Sequence, residues 1–446
     1  MEKFFQIKQR GSSIFRECIA GMVTFATMSY IMMVQPSIMT GQAVGMNTGM
    51  DATALITTTC LVSAFGCILM GILSNYPIGL APGMGLNFFL VLSIIPVCAT
   101  TLNQPIGSTA VWRLALGVVF CSGLLFFLLS FGNLRKALLN SVSPGVKNSI
   151  AVGIGIFIAL LGLKNAGIVI PMPNGLGLGD LTSNESMVFC TGLILMTVLS
   201  FRRVPGSVLI GICGTACLAT ALGMIKISAF FGLPASPMSV MFKMDITGVC
   251  DHLYTLIPFV LMLTFMDIFD TLGTTIGVGT QAGFIQNGEF PKVERVFIAD
   301  ATATLVGGAM GHSNVTSFVE SIAGVEAGGR TGLTAITTGV LFLLAIFCTP
   351  FIFAVSGCLP ITSSALFFVG LMMMRNVTEI AWDDLCEAVP AFAIIVSIPF
   401  FSNIADGMMV GFILYPVISL LCGRWRIGWT PYLLAAILTL YIVFIK

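Results

Sequence analysis

The strongest constraint on this chain is its succession of long apolar segments. A helix needs about 20 apolar residues to cross the hydrocarbon core of a bilayer, and runs of roughly that length recur from residue 17 onward. Charged residues make up only 9% of the chain, whereas about 25% is usual in soluble domains. The sequence therefore predicts an all-α integral membrane protein and excludes a soluble enzyme.

Fourteen membrane spans are predicted, in two sets of seven separated by a more polar connection over 225–252. The first set comprises 17–39, 50–72, 79–97, 109–131, 146–164, 186–201 and 206–224. The second set comprises 254–277, 293–311, 314–328, 331–355, 361–375, 387–401 and 405–422. A last apolar run, 430–445, is short, and the pattern leaves open whether it crosses the membrane. The polar amino terminus has no apolar stretch before a cleavage site, so no cleaved signal peptide is expected.

Lys and Arg residues predict a cytoplasmic amino terminus, because loops on the cytoplasmic side retain positive charge. With that orientation most cations lie in cytoplasmic segments, among them Arg135, Lys136, Lys147, Arg202, Arg203, Lys292, Arg375, Arg424 and Arg426. The net charge of +1 gives no reason to expect a nucleic-acid partner. The 13 Cys residues include no CxxC pair, so neither a zinc site nor a disulfide framework is expected.

Two short matches indicate an internal repeat. Met22–Phe25 (MVTF) resembles Met262–Phe265 (MLTF), and Met70-Gly71 recurs as Met310-Gly311, both at a separation of 240 residues. Because each half has an odd number of predicted spans, the second copy would enter the membrane from the opposite side. This is the inverted-repeat plan of secondary transporters, whose substrate site lies near the midplane at discontinuous helices.

The third predicted span of each half looks discontinuous. Residues 79–87 (GLAPGMGLN) are rich in Gly and Pro, and residues 312–324 (HSNVTSFVESIAG) are polar. Irregular backbone at membrane depth is tolerated only where protein covers it or it lines a wet cavity, and a matched pair of interruptions points to a binding site. A simple re-entrant loop or a small-residue packing motif remains an alternative for span 10.

Asp267 and Asp270 are acids in the middle of predicted span 8. Their i, i+3 spacing places them on one helical face, together with Thr264, Thr271 and Thr274. An acid at the bilayer centre costs at least about 2.5 kcal/mol and normally faces a cavity. Two neighbouring carboxylates repel each other, so we expect one of them to hold a proton. Proton coupling is therefore predicted, with a structural capping role left open for Asp270.

The remaining polar groups receive more local roles. Ser317 and Glu320 have the spacing of a capping box, which is compatible with Glu320 also reaching a binding site. Asp300, Glu326 and Arg330 are expected to form ion pairs near span ends. His312 is expected to be a hydrogen-bonded loop histidine, and Asp406 a charge at a helix start.

No motif supports an enzyme. The sequence lacks GxxxxGK[ST], HExxH and a nucleophile elbow, so ATP hydrolysis, zinc chemistry and serine hydrolysis are not expected. An intramembrane aspartyl protease would use an Asp pair that shares a proton, but its acids would come from different helices. We expect no metal and no cofactor other than a coupling proton.

Five segments closely resemble the AzgA-like adenine/guanine/hypoxanthine permeases of the nucleobase transporter superfamily. They are GMVTFATMSYI, APGMGLNFF, TFMDIFDTLGT, VTSFVESIAGVEAGGRTGLTA and AVPAFAIIVSIPFF, and the resemblance extends from about residue 3 to residue 430. It implies proton symport of a purine base across a bacterial cytoplasmic membrane, with a core domain (14–134 and 252–356) moving against a gate domain (135–251 and 357–446). It leaves homodimerisation and the preferred purine open.

The resemblance also implies roles for individual residues. The span-8 acid corresponds to Asp267, its companion to Asp270, the span-10 acid to Glu320 and the span-3 amide to Asn87. The expected substrate-binding residues are Asp267, Glu320, Asn87, Gly85 and Phe318, with Phe88 or Phe25 as alternative stacking partners. The expected proton-coupling residues are Asp270, Asp267 and Glu320.

Two other transport functions are weighed against purine symport. An anion exchanger of the same general fold would need a positive site, whereas the predicted centre carries three carboxylates and no Lys or Arg. A channel fits less well with a pair of broken helices.

Overall fold

The computed structural model describes residues 2–131, 143–173, 175–284, 290–424, 428 and 430–444. Arg135, Lys136, Arg426 and the predicted domain boundary after residue 134 lie outside these residues. Ten helical stretches of the described chain are long and apolar enough to cross a membrane. Three further apolar helices, Ser207–Ala221, Leu385–Phe401 and Thr430–Val443, are shorter. The protein is therefore predominantly helical, as predicted.

The long helices follow the predicted segments, whereas the four short strands depart from the all-α prediction. The first half contains α1 (Glu2–Phe5), α2 (Ile14–Met28), α3 (Ile31–Met39), α4 (Ala52–Ser74), β1 (Leu80–Pro82), α5 (Met84–Phe89), α6 (Ile95–Leu102), α7 (Thr109–Leu129), α8 (Pro144–Asn165), β2 (Val169–Met172), β3 (Gly175–Leu178), α9 (Asn184–Phe201) and α10 (Ser207–Ala221). A π-helical turn, Leu90–Ile94, joins α5 to α6, and a 3₁₀ turn, Gln42–Val44, follows α3.

The second half also consists mainly of helices, with one short strand. It contains α11 (Ile246–Asp251), α12 (Leu253–Ala282), α13 (Val293–Ala309), β4 (Val315–Ser317), α14 (Ser321–Glu326), α15 (Gly332–Ala345), α16 (Thr349–Ser356), α17 (Leu359–Met373), α18 (Leu385–Phe401), α19 (Ile404–Leu421) and α20 (Thr430–Phe444). Further 3₁₀ turns cover Pro237–Ser239, Ile346–Cys348 and Met374–Glu379.

The helices pack into two groups. In the first packing group, α15 lies against α2 and α4, and α13 lies against α4 and α7, which also contacts α12. In the second packing group, α8 lies against α17 and α18, α18 also contacts α19, and α9 contacts α10 and α17. Contacts within each group are far more extensive than contacts between the groups.

Paired glycines allow one close helix crossing in each group. A Cβ on Gly71 of α4 would overlap the carbonyl of Gly332 of α15, and the reverse also holds. Gly155 of α8 and Gly370 of α17 have the same relationship. Small residues let membrane helices approach closely, where packing rather than the hydrophobic effect drives association. A side chain at any of these four positions would push its helix pair apart.

Both segments predicted to be broken begin with a short strand, and the two strands pair with each other. β1 and β4 are antiparallel, with Ala81 opposite Thr316. The ladder continues as Phe318 N–H donates to Gly79 O (2.9 Å) and Gly83 N–H donates to Asn314 O (3.0 Å). Non-helical backbone is costly at membrane depth unless its polar groups are satisfied. Each interruption supplies the hydrogen-bonding partners of the other.

Candidate functional site

A cavity of about 410 Å³ lies beside the paired strands, within the ~300–1,000 Å³ range of small-molecule sites. Its wall combines α12 and the residues around β1 and β4 with α8 and α17 of the second packing group. The polar residues that line it include Tyr30, Asp270, Thr274, Thr316, Ser317 and Glu320. The cavity therefore lies where the two packing groups meet at the broken helices.

Two of the predicted carboxylates reach this cavity. Asp270 on α12 and Glu320, which directly precedes α14, both line it. The side chain of Asp270 is exposed to the cavity. Glu320 is half-buried, and its Oε1 accepts a hydrogen bond from the hydroxyl of Tyr30 at 2.8 Å. Tyr30 lies at the break between α2 and α3, so a third irregular point of the chain orients this acid.

The predicted capping box is wrong. Helix α14 begins at Ser321, and Glu320 is its N-cap residue with no side-chain capping bond. Ser317 belongs to β4, and its hydroxyl donates to Asp300 Oδ1 at 3.1 Å. Strand pairing with β1 extends residue 317 and delays the helix, so the two side chains cannot cap each other.

Aromatic residues cover part of the cavity wall. Phe318, as predicted from the sequence, and Phe269, which was not predicted, both line it. The alternatives Phe88 and Phe25 do not: Phe88 packs edge-on against Phe157 and Phe25 against Phe342. Their rings stabilise helix packing instead.

Two cations also line the cavity, contrary to the expectation that Lys and Arg would be absent from the centre. Lys147 lies in the first turn of α8, with its Nζ 4.5 Å from the centroid of the Phe269 ring. Arg375 lies in the 3₁₀ turn that follows α17. Both lie near helix ends, and the cavity wall therefore combines two cations with the carboxylates of Asp270 and Glu320.

Asp267 does not line the cavity, although the sequence placed it on one face with Asp270. Its side chain is completely buried. Its Oδ2 accepts hydrogen bonds from Thr304 Oγ1 and Asn314 Nδ2, both at 2.9 Å. The rotation between positions i and i+3 is enough to direct one acid toward α13 and the other into the cavity.

Asp300 is a buried acid whose position the sequence did not predict. The expected ion pair near a span end is wrong: Asp300 is fully buried in α13 and accepts hydrogen bonds from Thr271 Oγ1 (2.5 Å) and Ser317 Oγ (3.1 Å). Thr271 Oγ1 also lies 3.3 Å from Thr316 Oγ1. Because Ser317 and Thr316 line the cavity, one hydroxyl layer separates Asp300 from it. Its place in the middle of a predicted span was the one available indication.

Asn87 lies behind the cavity wall. Its amide hydrogen-bonds with Gln35 and with the hydroxyl of Ser313, and the side chain is completely buried. Gly85, two residues earlier, does line the cavity, with the backbone at the start of α5. The first broken segment therefore presents backbone to the cavity, and its predicted amide holds the segment against its neighbours.

The other predicted polar residues have structural partners. His312 is buried and hydrogen-bonded, with Nε2 2.7 Å from Thr58 Oγ1 and Nδ1 3.2 Å from Gln35 Nε2, which agrees with the expectation. Asp406 lies in the first turn of α19, also as predicted.

Glu326 and Arg330 have different partners from those predicted. Glu326 accepts from Gln281 Nε2 (3.2 Å), and the Arg330 guanidinium donates to the carbonyls of Val325 and Gly329. Among the residues the structure describes, no group of three His, Cys, Asp or Glu side chains could hold a metal ion.

Comparison with known proteins identifies the family. The permease family designated Xan_ur_permease matches residues 15–410. The guanine/hypoxanthine permease PbuO of Bacillus subtilis is 39% identical over 428 residues, covering 95% of each chain. The adenine permease AdeQ of Escherichia coli is 36% identical over 428 residues, covering 96% of this chain and 92% of AdeQ.

Solved structures share the fold at low identity. The transmembrane domain of the cyanobacterial bicarbonate transporter BicA superposes with a TM-score of 0.65 at 16% identity, covering 90% of this chain and 97% of that one. SLC26A9 superposes with a TM-score of 0.63 at 11% identity, covering 93% and 66%. At such identities the likeness concerns the fold alone. The family match and the apolar helices together establish that this chain is a multi-pass membrane transport protein, not an enzyme, and that it belongs to the Xan_ur_permease family.

Proposed function

We propose that this protein is a secondary active transporter that carries purine nucleobases into the cell by proton symport. The observation that carries the proposal is the cavity in which Asp270 and Glu320 lie beside aromatic rings, at the junction of two broken helices. The names of the relatives, which are guanine/hypoxanthine and adenine permeases, support purines as the substrate class.

The cavity chemistry suits a flat, neutral base rich in N–H donors. A carboxylate can accept hydrogen bonds from two N–H groups, and Glu320 and Asp270 supply two such acceptors. Gly85 lines the cavity without a side chain, so a flat base can approach the backbone of α5 closely there. Phe318 and Phe269 can cover the faces of the ring. A polar site of this kind strongly rejects analogues that lack the matching group.

We propose fourteen spans arranged as two inverted repeats of seven. The order of long helix, short strand and short helix is the same in α4–β1–α5 and α13–β4–α14, which supports the repeat. The two packing groups support a core domain (14–134 and 252–356) and a gate domain (135–251 and 357–446). Movement of the core against the gate would expose the cavity to the two sides of the membrane in turn.

We propose that the cavity opens to the cytoplasm in this conformation. Lys147 and Arg375 line it, and both belong to segments expected on the cytoplasmic side from the distribution of positive charge. The amino terminus would lie on that side, and the protein would reside in the cytoplasmic membrane of a bacterium.

Proton coupling is assigned to the cavity carboxylates. Asp270 and Glu320 line the same cavity. Two negative charges that lie near each other in a poorly solvated cavity repel, which favours protonation of one of the two carboxylates. A proton that enters from outside would neutralise Asp270 and reduce the cost of moving the loaded site past the gate. Its release to the cytoplasm would allow the empty site to return.

Anion exchange is the second candidate because the solved structures with this fold include bicarbonate and anion transporters. The carboxylates of Asp270 and Glu320 in the cavity wall argue against it, since they would repel an anion.

Uptake of labelled bases in a transport-deficient host tests the proposal. Adenine, guanine, hypoxanthine, xanthine and uracil should each be measured with and without an uncoupler, alongside bicarbonate. We expect accumulation of at least one purine, abolished by the uncoupler. Absence of purine uptake at normal membrane expression would overturn purine transport, and uptake insensitive to the uncoupler would overturn the coupling alone.

A further inference from the structure

The side chains of Asp267 and Asn314 form a buried pair with an unusual deficit of hydrogen-bond donors. Both are completely buried, and Asn314 Nδ2 donates to Asp267 Oδ2 at 2.9 Å. Asp267 Oδ1 and Asn314 Oδ1 have no hydrogen-bond partner among the described residues. A buried acceptor without a donor is costly, and more so when the group is charged. Two such oxygens in one pair call for a physical explanation.

A proton on Asp267 removes the deficit. A protonated carboxyl group gains one O–H donor, and a carboxylic acid and a primary amide can then join through two hydrogen bonds in a ring. The amide N–H already donates to one carboxyl oxygen, so the acid O–H would donate from Oδ1 to Asn314 Oδ1. We infer that Asp267 is a permanently neutral carboxylic acid paired with Asn314, a positioning residue that neither binds substrate nor carries the transported proton.

The surroundings of Asp267 agree with a neutral acid. The titratable groups that face it are Asp270 on the same helix and Asp300 on α13, both acidic. Besides Asn314, its hydrogen-bond donor is the Thr304 hydroxyl, and Asn314 Nδ2 also donates to Ser122 Oγ at 3.1 Å. An uncompensated buried charge is strongly destabilising, and no cation is hydrogen-bonded to Asp267 in the part of the chain that the structure describes.

The pair joins two walls of the cavity. Asp267 lies one turn before Asp270 on α12, and Asn314 directly precedes β4, whose residues lead to Glu320. Asn314 also reaches Ser122 of α7. The acid–amide pair therefore sets the distance between the two cavity carboxylates, which are the groups assigned to substrate and proton under the proposed function.

Three variants separate a neutral acid from a proton carrier. Asp267→Asn keeps the ring, because its amide N–H can replace the acid O–H. The double variant Asp267→Asn/Asn314→Asp reverses the acid and the amide. Asn314→Leu removes the ring while keeping a branched side chain, and Ser122→Ala is its control because it removes the bond between Asn314 and Ser122 but keeps the ring.

The thermal midpoint of each variant should be measured in detergent. Purine counterflow and uptake driven by a pH gradient should be measured in liposomes. We expect Asp267→Asn and the reversed pair to keep both transport activities within about threefold of wild type, and Asn314→Leu to lose at least about tenfold with a lower thermal midpoint. Ser122→Ala should resemble wild type. Infrared spectra should contain a protonated-carboxyl band at neutral pH that Asp267→Asn abolishes.

Specific results would overturn the inference. If Asp267→Asn retains counterflow but loses gradient-driven uptake, Asp267 carries the transported proton. If the reversed pair is as defective as Asn314→Leu, the ring does not exist. The inference rests on the proposed function only for its transport readouts: if wild type transports no purine, the thermal midpoints and the infrared band still decide the state of Asp267.

Discussion

Asp267 and Asp270 are the same residue type, one helical turn apart on α12, yet one is buried and the other is exposed. Asp270 is exposed to the cavity with Glu320 nearby. Asp267 is completely buried and accepts from Thr304 and Asn314. The difference shows that two acids one turn apart can face a cavity and the interior between packed helices respectively. Under the proposed function, binding and coupling belong to Asp270 and Glu320, and positioning belongs to Asp267.

The two broken segments also differ in what they present to the cavity. The segment after β4 presents the carboxylate of Glu320 to the cavity, whereas the segment after β1 presents backbone near Gly85 and turns Asn87 away. Under the proposed function, one segment supplies a charged acceptor and the other supplies backbone to a purine, which carries both donors and acceptors.

Removing the cavity acid on the β4 side should have the largest effect. Glu320→Ala is expected to weaken purine binding by at least about 100-fold, or about 2.7 kcal/mol, because a desolvated charged acceptor is lost from the ligand. Equilibrium binding to the purified protein measures this loss. Glu326→Ala is the matched control, since Glu326 lies outside the cavity and contacts Gln281. Wild-type affinity in Glu320→Ala would exclude Glu320 as a ligand.

Asp270→Asn should separate binding from coupling. The amide mimics a permanently protonated acid, so counterflow should stay within about threefold of wild type while accumulation driven by a pH gradient disappears. Both assays can be run side by side in the same liposomes, with Asp267→Asn as the control that keeps both activities. If Asp270→Asn still concentrates purine when only a pH difference is imposed, the proton resides elsewhere, and Glu320 becomes the remaining cavity acid.

Tyr30→Phe should have an intermediate effect. It removes the hydroxyl that donates to Glu320 Oε1 at 2.8 Å, and a hydrogen bond to a charged group contributes about 1.5–3 kcal/mol. We expect purine affinity to fall by roughly tenfold. Tyr76→Phe controls for loss of a tyrosine hydroxyl, because Tyr76 donates to the carbonyl of Pro291 outside this cavity. Unchanged affinity would mean that Glu320 is oriented without Tyr30.

Asn87→Ala should change transport least. The sequence suggested a direct contact with the purine, but the buried amide bonds to Gln35 and Ser313. Its removal leaves the buried side chains of Gln35 and Ser313 without this hydrogen-bond partner, at a cost of about 1–3 kcal/mol. The thermal midpoint should therefore fall while purine preference stays the same. Asn184→Ala, at an exposed helix start, serves as the control. An altered preference among purines at unchanged stability would restore Asn87 to the binding site.

The sequence predicted the helices well because membrane spans are set by continuous apolar length. Predicted segments such as 50–72 and 186–201 correspond to Ala52–Ser74 and Asn184–Phe201. The two interruptions were also predictable, since Gly, Pro and polar residues are costly in a lipid-facing helix. Pairing between β1 and β4 was not, because it depends on contacts between segments more than 200 residues apart, and it is what makes the expected capping box wrong.

The site was predictable in composition but not in orientation. Glu320 and Asp270 could be found because an acidic side chain at membrane depth is costly and normally faces a cavity. The burial of Asp267 and Asn87, and the link from Asp300 through Thr271 and Ser317, depend on helix rotation and on neighbours that periodicity does not encode. Tyr30 could not be selected because only its position at the break between α2 and α3 brings it to Glu320.

The most direct test is an experimental structure of the protein with guanine or adenine bound. We expect the base in the cavity beside Phe318 and Phe269, with its N–H edge within hydrogen-bonding distance of Glu320 or Asp270 and the Asp267–Asn314 pair intact. A base in direct contact with Asp267, with that pair opened, would contradict the assignment of roles to the two acids of α12.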